Sequence, residues 1–385
     1  MIPYGRQHIE QSDIDSVVEV LRSDFLTQGP RVVEFEMAVA AYVGAAHGLA
    51  VNSATSALHI ACMALDLGPG DWLWTSSNTF LASANCAVYC GAEVDFVDID
   101  PATYNMSVSA LAAKLKQAEA LGRLPKVVVP VHFAGQSCDM RGIAELAARY
   151  GFKVIEDASH AVGGRYLDRP VGCCAYSDIA VFSFHPVKII TTAEGGLALT
   201  NDARLARKMD LARCHGMTRA SDLMEGESDG PWYYQQVALG YNYRMTELQA
   251  ALGVSQVRSI DRFVARRHEL AARYDRLLEG LPLKRPWQSP DAYSALHLYP
   301  IVLNDSSERR RVFEGMRAAD ILVNVHYIPV HLQPFYRRRG SRPGDCPQAE
   351  AYYAGAISLP LYFDLTLDQQ DRVVAVLAGL LRQGA

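Results

Sequence analysis

Short apolar runs alternate with amphipathic stretches over the first half of this 385-residue chain. The pattern predicts strands at residues 48–51, 72–75, 93–97, 127–131, 153–156, 179–182 and 197–200. Helical periodicity between the first five strands predicts helices at residues 56–65, 81–89, 108–120 and 140–150. Strands that alternate with helices are typical of a mainly parallel sheet covered on both faces. Because no helix separates the last two strands, we expect one of them to run antiparallel.

Helical patterns also precede this region. Ser12 followed by Asp15 resembles the start of a helix. Gly29 and Pro30 break the chain before a second helix, which is predicted near residues 33–42.

A long helical stretch after about residue 246 carries arginines along one face, which is most simply a solvated surface. These arginines are Arg258, Arg262, Arg266, Arg267 and Arg273. A proline-containing loop and a smaller α+β unit complete the chain. We therefore expect an α/β protein with a large domain at residues 1–255, including the N-terminal segment, and a small C-terminal domain at residues 256–385.

The composition and charge argue against nucleic-acid binding and membrane insertion. Half of the residues (50%) are apolar, 21% are charged, and the net charge is −5. No basic run could follow a phosphate backbone, so nucleic acid is not an expected partner. No stretch approaches the ~20 apolar residues that span a bilayer, and the N-terminus lacks the apolar core of a signal peptide. We expect a cytoplasmic protein that does not enter the membrane.

The eight cysteines are scattered along the chain without paired C-x-x-C units. Neither a disulfide framework nor a zinc site is therefore predicted. Cys86 and Cys90 lie one helical turn apart, but no second pair of ligands follows them. We expect thiols in a reducing compartment and no metal.

Lysine is scarce, with seven residues in the chain, and only Lys188 lies in an apolar run, at residues 180–192. Desolvation lowers the pKa of a lysine and frees its neutral amine for Schiff-base chemistry. The alternative is a lysine at a strand end whose ammonium group reaches solvent. The local pattern leaves both interpretations open.

Two other segments lie where open α/β sheets place their ligands. Asp157 ends a predicted strand, so its carboxylate could pair with a protonated pyridine nitrogen or could cap the next helix. Residues 52–58 (NSATSAL) follow the first strand and open a helix. Their hydroxyl and free N–H groups suit a phosphate, although plain helix capping explains them as well.

Four blocks carry a resemblance to a known family. They are residues 52–58, 156–161 (EDASHA), 183–188 (SFHPVK) with 191–196 (TTAEGG), and 240–251 (GYNYRMTELQAA). Together they resemble the sugar aminotransferases of the DegT/DnrJ/EryC family, over nearly the whole chain. The resemblance implies the aspartate-aminotransferase-like fold (PLP fold type I), with a mainly parallel seven-stranded sheet, and the cofactor pyridoxal 5′-phosphate (PLP). One departure is the polar run at residues 76–80 (SSNTF), where the family has a more apolar or proline-containing run.

The resemblance also implies roles for individual residues. Lys188 would form the Schiff base, Asp157 would pair with the pyridinium nitrogen, and His160 would lie near the ring hydroxyl. The implied cofactor contacts are Thr55, Ser56, Phe80, Asp157, His160, Ser183 and Lys188, together with Asn242, which would reach the phosphate bound by the partner subunit of a homodimer. The implied substrate contacts are Tyr4, Asp24, Phe25, Leu26, Thr27, Ala54, His326, Tyr327 and Ile328.

Within the family, residues 21–30, 52–59 and 181–196 are most similar to the branch that serves pseudaminic acid biosynthesis. That similarity implies amino transfer from L-glutamate to C4 of UDP-2-acetamido-2,6-dideoxy-β-L-arabino-hex-4-ulose. Three alternatives remain open. The substrate could be another nucleotide-linked keto-sugar. The enzyme could be a sugar dehydratase, although related dehydratases have histidine in place of the lysine. The chain could also be a PLP-binding regulator without catalysis.

Overall fold

A computed structural model describes residues 1–383 of the chain. Its helices are α1 (Gln11–Leu21), α2 (Pro30–Val43), α3 (Ala54–Ala64), α4 (Ala82–Tyr89), α5 (Val108–Leu121), α6 (Met140–Tyr150), α7 (Ala203–Arg213), α8 (Glu247–Val257), α9 (Ile260–Leu277), α10 (Arg309–Ala318), α11 (Pro334–Arg337), α12 (Pro347–Gly355) and α13 (Leu367–Gln383). Short 3₁₀ turns lie at Phe133–Gly135, Ser306–Glu308 and Val330–Leu332.

The strands are β1 (Ile2–Pro3), β2 (His47–Val51), β3 (Trp72–Ser76), β4 (Glu93–Val97), β5 (Val127–Val129), β6 (Lys153–Asp157), β7 (Arg165–Tyr166), β8 (Arg169–Pro170), β9 (Ile179–Ser183), β10 (Gly196–Thr200), β11 (Met217–Thr218), β12 (Gln235–Gln236), β13 (Leu283–Lys284), β14 (Ala292–Tyr293), β15 (Tyr299–Leu303), β16 (Ile321–Leu322) and β17 (Ala356–Leu359). The predicted strands of the first half are all present, within two residues of their predicted ends.

The central sheet has seven strands in the order β2-β10-β9-β6-β5-β3-β4. Strand β10 runs antiparallel to both of its neighbours, and the remaining pairs are parallel. The expected mainly parallel α/β sheet is therefore confirmed. The reversal at β10 follows from the helix-free connection after β9, because a parallel return needs a longer crossover.

The sheet is buried on both faces. Alternate residues of β9 enter two different cores: Ala180 and Phe182 pack with helix α2, whereas Ile179 and Val181 pack with helices α3 and α7. Strands covered on both faces need apolar side chains at every position, which explains the continuous apolar runs of the sequence. The carboxyl ends of β2, β3, β5, β6 and β9 consequently share one edge of the sheet.

The first helix begins differently from the sequence prediction. Helix α1 starts at Gln11, and its capping box joins Glu10 to the N–H of Asp13, whose side chain accepts from the N–H of Glu10. The predicted start at Ser12 with Asp15 was wrong by two residues, because the pair Glu10 and Asp13 already satisfies free N–H groups at this end. The predicted break before the second helix is confirmed, since Pro30 is the first residue of α2.

Arg267 was expected on a solvated face and is instead buried, with 2% of its surface exposed. Its guanidinium donates to the carbonyl oxygens of Leu296, His297 and Leu361. Burial lowers the pKa of Arg267 to about 10. The arginine spacing was compatible with an exposed face, but α9 packs against other elements on this side as well.

The C-terminal part has its own antiparallel sheet, β13-β15-β17, beside helices α10 and α13. Helix α9 enters two cores: Phe263 and Val264 pack with the central-sheet core, whereas Leu270 and Tyr274 pack with the C-terminal core. Strand β1 pairs with β16, so the N-terminus also contacts this part. The domain division at residue 255 stays a prediction.

Two observations concern possible partners of the fold. Within residues 1–383, no helix is both long and apolar enough to cross a membrane. The same residues contain no group of three or more His, Cys, Asp or Glu side chains arranged to hold a metal ion.

Candidate active site

A cavity of about 840 Å³ lies at the carboxyl edge of the parallel strands. Segments that follow five strands reach it: residues 52–56 after β2, 79–80 after β3, 131 after β5, 157–160 from β6 and 183–188 from β9. Ligand sites of open α/β sheets occur at this edge. The residues predicted from the sequence that line the cavity are Tyr4, Ala54, Thr55, Ser56, Phe80, Asp157, His160, Ser183, Lys188, His326 and Tyr327.

Lys188 lies on the turn that follows β9 and lines the cavity. Burial lowers the pKa of Lys188 to about 8, and the charge of Asp157 acts in the opposite direction. A neutral amine is therefore accessible near physiological pH, as a nucleophile or proton acceptor requires. Of the two interpretations left open by the sequence, this geometry favours the chemical one.

The carboxylate of Asp157 is fixed at the end of β6. Its Oδ2 accepts a 2.6 Å hydrogen bond from Ser83 Oγ, and its Oδ1 accepts one from the N–H of Ser159 at 3.1 Å. No helix follows, because the chain continues through turns to β7, so the capping alternative was wrong. Ser83 was missed by the sequence analysis, since a buried serine of α4 gives no signal of what it faces.

Hydroxyl and N–H groups converge where α3 begins. Ser53 caps the helix, accepting from the N–H of Ser56 at 3.1 Å, and Ser56 Oγ donates to Asn52 at 2.6 Å. Strand β10 brings Ser183 to this point, because Gly196 pairs with Val51 on one side and with Ser183 on the other. The dipole and free N–H groups of a helix start favour an anion here.

Gly196 is required for this close approach. A Cβ atom at this position would lie 2.4 Å from the backbone N of Ala54 and from the carbonyl carbon of Ser53. Only glycine therefore lets β10 pass the start of α3 at the observed distance.

Histidines form the opposite side of the cavity. His160 Nε2 lies 3.1 Å from Tyr327 Oη, and the His160 ring lies 4.4 Å from that of His297. Burial and then the charge of Lys188 hold the pKa of His160 well below its ordinary value, and the same causes lower that of His326 to about 3. These rings are neutral at physiological pH. His297 was missed, because a lone histidine before an apolar strand is most simply a core residue.

Six predicted site residues do not line this cavity. They are Asp24, Phe25, Leu26, Thr27, Asn242 and Ile328. Asp24 to Thr27 form an exposed segment against the start of α8, where the N–H of Glu247 donates to the carbonyl of Leu26. Asn242 is exposed, and its backbone forms an isolated antiparallel β-bridge with that of Cys214. Their roles stay predictions.

The residues present fit PLP by their chemistry. A lysine of lowered pKa suits the aldehyde, a buried carboxylate suits a protonated ring nitrogen, and the start of α3 suits the phosphate. The Nδ1 atom of His160 is buried without a hydrogen-bond partner in residues 1–383, which leaves a polar group on this wall unsatisfied. The donor set thus matches the three polar ends of one cofactor.

Comparison with known sequences gives the same family over nearly the whole length. The model of the DegT/DnrJ/EryC1/StrS aminotransferase family matches residues 7–378. The spore coat polysaccharide biosynthesis protein SpsC of Bacillus subtilis is 38% identical over 99% of this chain and 97% of its own. The UDP-4-amino-4,6-dideoxy-N-acetyl-beta-L-altrosamine transaminase of Campylobacter jejuni is 36% identical over 100% of this chain and 98% of its own.

Solved structures agree in fold. Helicobacter pylori PseC, an aminotransferase of pseudaminic acid biosynthesis, superposes with a TM-score of 0.91 at 30% identity, over 99% of both chains. The PLP form of the putative sugar aminotransferase Spr1654 of Streptococcus pneumoniae superposes with a TM-score of 0.90 at 27% identity, over 100% of this chain and 99% of its own. The predicted PLP fold type I architecture is confirmed. This chain belongs to the DegT/DnrJ/EryC1/StrS aminotransferase family and is a pyridoxal-phosphate-dependent transaminase.

Proposed function

We propose that the enzyme transfers the amino group of L-glutamate to C4 of UDP-2-acetamido-2,6-dideoxy-β-L-arabino-hex-4-ulose. The product is UDP-4-amino-4,6-dideoxy-N-acetyl-β-L-altrosamine, a precursor of pseudaminic acid. The observation that carries the reaction class is the Lys188 amine in the cavity, with a pKa of about 8 beside the charge of Asp157. The similarity to the altrosamine transaminase at 36% identity supports the choice of sugar.

Lys188 is proposed to move the proton in both halves of the reaction. When bound, PLP supplies the electron sink that makes the proton on the reacting carbon acidic. The Nζ atom of Lys188, neutral in a useful fraction of molecules, would accept that proton from the substrate carbon and deliver it to the cofactor carbon on the other side of the transferred nitrogen. The same atom serves glutamate and, in the reverse sense, the keto-sugar.

Asp157 and His160 are proposed to hold the cofactor ring rather than to move protons. The Asp157 carboxylate, held by Ser83, lies ready to keep a ring nitrogen protonated. His160 is neutral and is held by Tyr327, so it offers hydrogen-bonding capacity without charge. We place the cofactor phosphate against Thr55, Ser56 and Ser183, and the ring face against Phe80.

A homodimer with shared active sites is part of the proposal. Several large apolar side chains are exposed in the single chain, among them Phe25 at 53%, Leu239 at 68% and Trp232 at 69%. Contiguous apolar surface marks contacts with other chains, and these side chains are candidates for such a contact. We propose that Asn242 of one subunit reaches the cofactor phosphate of the other, and that residues 24–27 and 328 contact the sugar nucleotide.

The proposed compartment is the cytoplasm. All eight cysteines are free, which suits a reducing environment.

A different nucleotide-linked keto-sugar is the second candidate substrate. The spore coat polysaccharide protein is 38% identical, slightly more than the altrosamine transaminase at 36%. Substrates of this kind differ in hydroxyl configuration, which a few cavity contacts distinguish. The presence of Lys188 argues against the dehydratase alternative.

An absorbance titration tests both the proposed reaction and the proposed sugar substrate. Purified enzyme saturated with PLP receives L-glutamate, and the visible band of the bound cofactor is followed. Bleaching by glutamate, and recovery only with the L-arabino-hex-4-ulose, would support the reaction and the sugar. Recovery with another UDP-4-keto-sugar would keep the reaction and replace the substrate. The variant Lys188→Arg is the control, and turnover by that variant would contradict the proposed role of Lys188.

A further inference from the structure

A chain of hydrogen bonds that starts in the interior and ends at the half-buried Glu350 joins the central sheet to the C-terminal part, outside the cavity. Ser77 Oγ, just after β3, lies 2.6 Å from His331 Nδ1. His331 Nε2 lies 2.8 Å from Glu350 Oε1 on α12. The partners are far apart in sequence and meet only in the folded chain.

The chemistry of this trio resembles that of a nucleophile with its base, but its burial excludes that use. Ser77 and His331 each have 0% exposed surface, so no substrate reaches the hydroxyl. The trio also does not line the cavity of about 840 Å³. A structural role between two parts of the molecule therefore fits better than a second active site.

The electrostatics fix the direction of the chain of bonds. Burial is the largest influence on the pKa of Glu350 and acts to raise it, but the hydrogen bonds from His331 and from the backbone of Gly344 and Cys346, together with the charge of His331, outweigh it, so the pKa lies below its ordinary value. An ionised Glu350 requires the hydrogen of His331 to sit on Nε2. In the neutral ring, Nδ1 then accepts from the Ser77 hydroxyl.

Two hydrogen bonds donated by main-chain N–H groups join the same two segments. The N–H of Val330 donates to the carbonyl of Ser77 at 2.9 Å. The N–H of Tyr327 donates to the Asn78 side chain at 3.2 Å. The polar run at residues 76–80, which departs from the family pattern, thus binds the segment 326–331 through both side chain and backbone.

Each side of this junction leads directly to the cavity. On the sheet side, Thr79 Oγ1 lies 2.8 Å from Ser83 Oγ, which holds Asp157. On the other side, Tyr327 Oη lies 3.1 Å from His160 Nε2. Asp157 and His160 belong to one continuous segment, so the junction decides where Tyr327, which contacts His160, lies relative to Ser83, which holds Asp157.

We propose that Ser77, His331 and Glu350 are positioning residues that form a clasp between the central sheet and the C-terminal part, which fixes where Tyr327 lies relative to Ser83 and Asp157 in the active site. This inference rests on the proposed function for its kinetic readout. Errors of about 1 Å in such positions cost up to a hundredfold in rate, so a clasp remote from the chemistry has a measurable effect.

The test compares Ser77→Ala, His331→Asn and Glu350→Gln with Tyr336→Phe. The control removes the 2.6 Å hydrogen bond from Tyr336 to Asn85, which joins the same two parts away from residues 76–80. We expect each clasp variant to lower kcat/KM about tenfold, with the double variant of Ser77 and His331 no worse than either single one. Tyr336→Phe should lower the unfolding temperature about as much as the clasp variants do, but it should change kcat/KM less than twofold.

A readout that does not need turnover accompanies the kinetics. Hydrogen–deuterium exchange of the PLP-loaded enzyme should accelerate in both segments, 76–80 and 323–332, for the clasp variants and in neither for Tyr336→Phe. Unchanged exchange and kinetics relative to the control would overturn the clasp. If wild-type enzyme proves inactive with every keto-sugar, the proposed function fails, whereas coupled exchange of the two segments still decides the clasp.

Discussion

The hydroxyl of Ser83 donates a 2.6 Å hydrogen bond to Oδ2 of Asp157, so a side chain of α4 orients the carboxylate at the end of β6. A carboxylate that pairs with a ring nitrogen acts only if it points at that atom. Orientation by a second residue is a common requirement of such sites.

Ser83→Ala is expected to weaken PLP binding about ten- to hundredfold, because hydrogen bonds to charged groups contribute about 1.5–3 kcal/mol. Cofactor affinity, measured by fluorescence titration of apoenzyme, checks this. Thr75→Val is the matched control. This variant also loses one buried hydrogen bond, the 2.8 Å bond from the Thr75 hydroxyl to the carbonyl of Val129, but that bond does not involve Asp157. Equal losses in the two variants would contradict a specific role for Ser83.

The rate of PLP capture by apoenzyme should depend on the protonation of Lys188. Because only the neutral amine attacks the aldehyde and its pKa is about 8, the rate should fall about tenfold per pH unit below that value and level off above it. Stopped-flow mixing between pH 6 and 10 measures the profile. Asp157→Asn should move the midpoint lower, since the charge of Asp157 raises the pKa of Lys188. A midpoint near the ordinary 10.5 would be incompatible with a desolvated amine.

Gly196→Ala is expected to destabilise the protein by about 1–3 kcal/mol, because the added methyl group overpacks the contact with Ala54. PLP affinity should fall with stability, since the start of α3 must shift. Denaturant unfolding and cofactor titration measure the two effects. Gly379→Ala in α13, where a Cβ meets nothing within 4 Å, should leave PLP affinity unchanged and raise the stability by up to about 1 kcal/mol. A Gly196→Ala protein of normal stability would show that the approach is not tight.

Arg267→Met is expected to reduce the free energy of unfolding by about 3 kcal/mol or more, because it leaves the carbonyls of Leu296, His297 and Leu361 buried without their donor. Arg258→Met, at an exposed position, should stay within about 0.5 kcal/mol of wild type. Chemical denaturation of both variants provides the comparison. Similar free energies of unfolding for the two variants would mean that water or another donor replaces the guanidinium.

Mixing two inactive variants tests the shared active site. In a mixed dimer of Lys188→Ala and Asn242→Ala subunits, one site keeps both residues if Asn242 acts across the interface. Co-refolding the two should then restore about a quarter of wild-type activity, as random pairing in a symmetric dimer requires. No recovery in confirmed mixed dimers would place the action of Asn242 within its own subunit.

The sequence by itself determined the layered architecture. Apolar runs at the length of strands and helical periodicity between them are local properties, so they located the strands of the central sheet within two residues. The same local pattern distinguished Lys188 from six other lysines, because an apolar neighbourhood along the chain predicts a desolvated amine. The blocks around Asp157 and Lys188 then identified the family.

Only the tertiary structure decided which side chains meet. Ser83 and His297 lie in segments whose local patterns are those of an ordinary core, and the polar run that contains Ser77 does not reveal that His331 is its partner. Arg267 was misjudged for the same reason, since three carbonyls brought by distant segments satisfy its charge. Periodicity along a chain records which face of an element is apolar. The polar partners across a buried junction depend on how elements pack, and that packing is settled by the fold as a whole.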